Sequence, residues 1–207
     1  AVTAAHRGGP LAAVAWNECP HITDTGISAW LSARHRGRDP SPDESEAFAV
    51  AFESALRAEW RRSPDRFRAM PGAVAFLSHL SGIGGTYAIA TGGLGRTARL
   101  KLSAAGLPTD RLLASSDDSR ARVEIFSLAM TRLDELNQPR GPRMVLVGDG
   151  VWDVHTAARL GWAFVGVGSG ERAARLRAAG ASVIIPHFDD KSAATTAIRQ
   201  AAVPRAG

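Results

Sequence analysis

Two carboxylates stand four residues apart at the end of an uninterrupted apolar run. In RMVLVGDGVWDVHTAARLGW, residues 143–162, the stretch Met144–Val147 runs into Gly148, and Asp149 and Asp153 follow. The run reads as a buried strand, and charges at its mouth are costly to desolvate unless something neutralises them. Carboxylates are hard oxygen ligands, and Mg2+ is usually held by one or two of them together with water and phosphate. A divalent cation is therefore the expected reason for the pair. Either acid alone would also serve as a helix cap or as a first-turn acid that complements the helix dipole.

Two other stretches carry groups of matching chemistry. Thr91-Gly92-Gly93 follows the apolar YAIA (87–90), so a hydroxyl and flexible backbone lead into a helix start. Exposed amides and the dipole at such a start favour an anion such as phosphate. After LLAS (112–115), the segment SDDSRAR (116–122) can deliver Arg120 or Arg122 to the same edge. Taken singly, Thr91 also reads as a capping hydroxyl and Arg122 as a surface residue. GGLGRT (92–97) lacks the glycine spacing of a dinucleotide fingerprint. A hydroxyl, a cation and two carboxylates around one point suit a phosphoryl group with Mg2+.

Positioning these groups requires several elements. Strands are expected at 87–90, 112–115, 144–147, 163–167 and 182–185, alternating with helices at 95–106, 122–136, 151–160 and 171–179 and a terminal helix. Uniformly apolar strands alternating with helices imply a parallel sheet covered on both faces, where ligands bind beyond the carboxyl ends of the strands. Upstream, Ser41, Pro42 and Glu44 have the grammar of a helix start, and Phe48, Phe52, Leu56 and Trp60 recur every four residues. HITDTGISAWL (21–31) offers Thr23, Asp24 or Thr25 as a cap. The division expected is a mainly helical region, 1–70, before an α/β core, 71–207.

Composition narrows the class. Apolar residues make up 45% of the 207, as in an ordinary globular chain. The single cysteine, Cys19, cannot form an internal disulfide. The net charge of +5 comes from scattered arginines, with Lys101 and Lys191 the only lysines, so no nucleic-acid footprint is formed. The densest basic stretch, RAEWRRSPDRFR (57–68), reads as a solvated helix end and loop. No apolar stretch approaches the ~18 residues that span a bilayer, and AVTAAHRGGP has no signal-peptide core. A cytoplasmic location is expected, with no membrane or nucleic-acid partner. Oligomeric state is left open.

With these motifs in place, the chain resembles a haloacid dehalogenase (HAD) superfamily hydrolase over roughly residues 20–190. The resemblance implies a Rossmann-like core with helices on both faces and a helical cap near residues 20–70. Its second motif matches at Thr91 and Gly92, its fourth at Asp149 and Asp153, and its third falls on Arg122, with Arg120 the other candidate. It implies a Mg2+-dependent phosphatase of a small phosphorylated metabolite, working through an aspartyl-phosphate. Thr91 and Arg122 would hold the transferring group, Gly92 and Gly93 would lie against substrate, and Asp24 would reach it from a cap loop. Asp149 and Asp153 would hold Mg2+. The family's first motif, Asp-x-Asp, ends the strand that runs between those placed here at 87–90 and 144–147, and this chain has no Asp-x-Asp. LAAVAWNE (11–18) ends instead in Asn17 and Glu18. Since the sequence opens at Ala1, the nucleophile is expected upstream of it. The alternatives are a catalytically inactive binding or regulatory protein on the same scaffold, and a metal-independent 2-haloacid dehalogenase.

Overall fold

The computed structural model describes residues 18–136 and 143–205. Its elements alternate as the sequence pattern requires. Helices α1 (Asp24–Arg36) and α2 (Pro42–Arg62) and a 3-10 turn (Pro64–Phe67) come first, then α3 (Ala73–Gly82). After them come β1 (Ile89–Ala90), α4 (Gly95–Ala104), β2 (Leu112–Ala114), α5 (Arg122–Glu135), β3 (Val145–Gly148) and α6 (Val151–Leu160). The chain closes with β4 (Ala163–Val167), α7 (Gly170–Ala178), β5 (Ile184–Ile185) and α8 (Lys191–Gln200). No helix among the described residues is long and apolar enough to cross a membrane.

These elements form two compact units. The first joins the described residues up to Arg68 to Ala88–Glu135; the second joins Ala69–Tyr87 to the described residues from Leu136 onward. Among the described residues the named strands pair in parallel, β1 with β2 in the first unit and β3–β4–β5 in that order in the second, and one isolated antiparallel bridge joins Phe164 of β4 to Ala202. The chain is thus an α/β protein with parallel strands and crossover helices.

In the first unit the capping residues do as their chemistry predicts. Of the three candidates, Thr23 caps α1, its hydroxyl accepting from the Gly26 amide at 3.1 Å while donating to the Arg120 carbonyl at 2.8 Å. Ser41 and Glu44 close a reciprocal capping box on α2, with Pro42 inside the first turn. The stripe on α2 is buried at Phe48 and Phe52, which pack on Leu94; Leu56 and Trp60 are half-buried. Under the β1–β2 pair, Ala114 packs with Ile125 and Ala129 of α5. The basic stretch 57–68 is largely exposed, and its arginines pair with local acids, Arg66 with Glu59 and Arg68 with Asp65.

The second unit is built around β4. All five of its residues are buried, and the two faces of the strand explain why. Val165 and Val167 pack with Ala194 and Ala197 of α8 and with Phe76 of α3, while Phe164 is fully buried. Pairing on both sides, to β3 and β5, satisfies the backbone. Gly72, before α3, has a left-handed backbone, and a Cβ there would lie 2.2 Å from the Phe188 carbonyl carbon. Only glycine permits that close approach.

Candidate active site

The first unit gathers five of the residues expected at the site: Asp24, Thr91, Gly92, Gly93 and Arg122. Three segments cross here, tied by backbone bonds: Thr91 N–H to the Ala114 carbonyl (3.1 Å), Asp24 N–H to the Gly92 carbonyl (2.7 Å), and Ser116 N–H to the Gly93 carbonyl (3.0 Å). The turn between β1 and α4 is therefore clamped by the approach to α1 on one side and by the end of β2 on the other.

Within the turn, the Gly93 amide donates to the Thr91 hydroxyl at 3.0 Å. An oxygen that accepts in this way keeps its own proton to donate elsewhere. The next two amides are also engaged: Leu94 N–H donates to Asp24 Oδ2 at 3.0 Å, and Gly95 N–H to Asp117 Oδ2 at 3.1 Å. Amides that were expected to receive phosphate thus face acceptors supplied by the protein itself. Asp24 was expected at the substrate; here its carboxylate holds the turn. Burial pushes that carboxyl above its usual range, and the neighbouring Asp117 adds to the shift, against the Leu94 bond and Lys101.

Arg122 opens α5. Its guanidinium donates to the Ile22 carbonyl at 3.3 Å and lies 5.6 Å from the centre of the Phe126 ring. A Cβ on Gly92 would sit 2.4 Å from Arg122 Nη1, so the missing side chain of Gly92 makes the space that Arg122 occupies. Arg120 turns elsewhere, to Asp39 at 2.7 Å. Of the two arginines considered from the sequence, Arg122 is the one beside the turn.

Asp149 and Asp153 belong to the second unit. Asp153, buried in the first turn of α6, accepts from the Gly150 amide through Oδ2 at 3.1 Å. A Cβ on Gly148 would fall 2.6 Å from that same oxygen, so glycine at the strand end lets the carboxylate tuck beneath it. Asp149 is exposed and pairs with Arg172 of α7 at 3.1 Å. The crowding seen in the sequence is thus relieved by the protein, one acid by a backbone N–H and the other by a guanidinium. The donor chemistry still fits a hard divalent cation that keeps most of its water, because Asp149 is open to solvent and its arginine is exposed and displaceable. No group of three or more potential ligands lies together among the described residues.

A family model described as a haloacid dehalogenase-like hydrolase matches residues 8–161. The chain belongs to this hydrolase family. Among solved structures the HAD-like fold recurs in a hydrolase from Pseudomonas syringae, 24% identical, with a TM-score of 0.59 over 80% of this chain and 74% of that one. It recurs in a candidate β-phosphoglucomutase from Bacteroides vulgatus, 20% identical, TM-score 0.58, covering 86% and 72%. A conserved haloacid dehalogenase-like protein of unknown function from Agrobacterium tumefaciens is 19% identical, TM-score 0.52, covering 96% and 88%. At these identities the likeness is one of fold. A search of curated proteins finds no match.

Two partner residues, one in each unit, were not anticipated from the sequence. Asp117 lies within the stretch read as a carrier of arginine, and its position just past β2 was the available signal, since strand carboxyl ends face the site. Arg172 gave no such signal, lying 23 residues from Asp149 on the face of another helix.

Proposed function

We propose that this chain is a phosphatase-type hydrolase of the HAD family that acts in the cytoplasm on a small phosphorylated metabolite. The supporting observation is the Thr91 hydroxyl, which accepts from the Gly93 amide and so keeps a proton to donate, next to Gly92, whose missing side chain leaves room for Arg122. Thr91 donates to a phosphoryl oxygen, Arg122 balances its charge, and the helices of residues 18–68 serve as the cap that selects the rest of the substrate. Asp149 and Asp153, in the second unit, would hold Mg2+, which when bound would supply Lewis-acid positive charge. The reaction needs a carboxylate nucleophile, the role that the family's Asp-x-Asp motif fills. Its oxygen bonds to phosphorus as the ester P–O bond breaks and the leaving oxygen takes a proton. Water then attacks phosphorus, restoring the carboxylate and releasing phosphate.

The test is phosphate release from sugar phosphates, phosphoglycolate and nucleotides, with and without Mg2+, by the full-length protein. Thr91→Val and Asp149→Asn should each lower turnover by about a hundredfold or more. Wild-type rates in Asp149→Asn would remove the metal assignment, and wild-type rates in Thr91→Val would remove the site.

One observation favours a second reading, a phosphate-binding protein without turnover. The family match begins at residue 8, so it already spans Asn17-Glu18-Cys19, which keeps the x-spacing of Asp-x-Asp without its carboxylates. An amide cannot form the acyl-phosphate. On this reading the wild type binds phosphate and releases none, and Asn17→Asp/Cys19→Asp gains measurable phosphate release. Failure of that double variant to gain any would overturn this account of the missing turnover.

A further inference from the structure

Resting on the phosphoryl reading of this site, we propose that Asp117, together with Asp24, is a positioning residue: the two carboxylates fill the amides that open α4 and leave contact with the phosphoryl oxygens to Thr91 and Arg122. The geometry separates this role from ordinary helix capping. A cap usually comes from the residue just before the helix, and one acceptor suffices. Here the acceptors come from 70 and 22 residues away, on two different segments, and reach consecutive amides. Asp117 Oδ2 also fills the space that a side chain on Gly95 would need, at 2.8 Å from a Cβ built there.

This arrangement has an electrostatic cost that a capping role alone does not require. Two anions stand at one helix end, and Asp117 adds to the rise that burial imposes on the Asp24 carboxyl. Ser or Asn would satisfy the same amides without that repulsion. The carboxylates do what neutral acceptors would do less firmly: they fix Leu94 and Gly95, and through Gly93 they fix the direction in which the Thr91 hydroxyl points. They also cancel the positive end of the α4 dipole, so the site's positive charge comes from Arg122 rather than from the helix. A phosphoryl group would therefore sit over Thr91 and Arg122, not on the helix axis.

The experiment is an amide-resolved NMR titration of the full chain with inorganic phosphate, together with hydrogen exchange, on the wild type, Thr91→Val, Asp117→Asn and Asp117→Ala. In the wild type, phosphate should leave the Leu94 and Gly95 amide signals in place, and Thr91→Val should weaken binding about two- to tenfold. Asp117→Asn keeps an acceptor, so the Gly95 amide should stay protected and insensitive to phosphate. Asp117→Ala uncovers that amide, which should lose protection and begin to follow phosphate; a purely structural role would lower the melting temperature without this change. Wild-type Leu94 and Gly95 signals that move strongly with phosphate would overturn the proposal, whether or not Asp117→Ala folds. If the wild type binds no phosphate, the phosphatase-type reading fails. Gly95 protection across the three Asp117 forms would still decide the anchoring: equal protection in all three would overturn it.

Discussion

Replacing Gly92 with alanine should act on Arg122 rather than on the backbone. Gly92 is not among the glycines with a left-handed backbone, so alanine can adopt its conformation. The new Cβ, however, would lie 2.4 Å from Arg122 Nη1, 3.1 Å from Thr23 Cγ2 and 3.2 Å from the Ile22 carbonyl oxygen. Ordinary contact begins near 3.4 Å, so the guanidinium must retreat by about 1 Å. Its bond to the Ile22 carbonyl is already 3.3 Å long and would not survive that shift. Losing one charge-assisted bond costs about 1.5–3 kcal/mol when it is well buried. Arg122 is half-buried, which argues for the lower part, about 1–2 kcal/mol. For a chain of this size that is a fall of about 2–8 °C in melting temperature. The informative assay is a double-mutant cycle with Arg122→Ala, read by chemical denaturation and by phosphate affinity. With Arg122 absent, Gly92→Ala should cost under about 0.5 kcal/mol, leaving a coupling of about 1 kcal/mol or more. Strictly additive effects would show that the glycine does not exist to admit the arginine.

Three other perturbations test neighbouring claims. Gly72→Ala combines a left-handed φ of 75° with a Cβ 2.2 Å from the Phe188 backbone, so urea denaturation should show a loss of at least about 2 kcal/mol; a loss under 1 kcal/mol would contradict the close approach. Asp24→Asn keeps an acceptor for the Leu94 amide but removes a buried charge. Because the folded carboxyl sits above its ordinary value of 3.8, its contribution to stability is present below that value and fades as pH rises through the folded one. The variant should therefore be more stable than the wild type at pH 7, with the gap closing as pH falls below the ordinary carboxylate range; a gap that widened would reverse the sign. Thr23→Ala removes both the α1 cap and the bond to the Arg120 carbonyl and should cost about 1–2 kcal/mol, largely restored by Thr23→Ser. Equal stability of the alanine and serine variants would rule out the hydroxyl.

What could be read in the sequence follows from what is local. The strand at 163–167 was legible because every position is apolar and every position is buried. The capping box at Ser41 and Glu44 needs only three residues of context. Thr91 at a strand end and Asp153 in a first helical turn were likewise fixed by their immediate neighbours. The partners were not legible, because they are separated in the chain: Asp24 from Leu94, Asp117 from Gly95, Arg172 from Asp149. The sequence alone therefore suggested free amides and unneutralised acids where the fold supplies partners for both. The run Met144–Val147 was read as buried throughout, yet Val147 is 41% exposed. Among the described residues β3 has a ladder partner on one side only, which leaves that strand less covered than β4.

The same accounting bears on where a nucleophile could come from. Of the first unit's described carboxylates near Thr91, Asp24 and Asp117 are each spent on a backbone amide, and Asp118 is held by the Ser115 amide and Arg132. Turning any of them toward a phosphoryl group would release an amide in a turn whose geometry depends on it. Cys19 does not replace them. Its thiol is buried, donates to the His21 carbonyl, and burial raises its pKa, so it is neither ionised nor aimed outward. On the proposed reading, a phosphoryl group at Thr91 and Arg122 would meet hydrogen-bond donors and positive charge from this unit, whose neighbouring carboxylates already hold backbone amides. Binding and turnover are separable in such a site, and a carboxylate placed at residue 17 is what would join them.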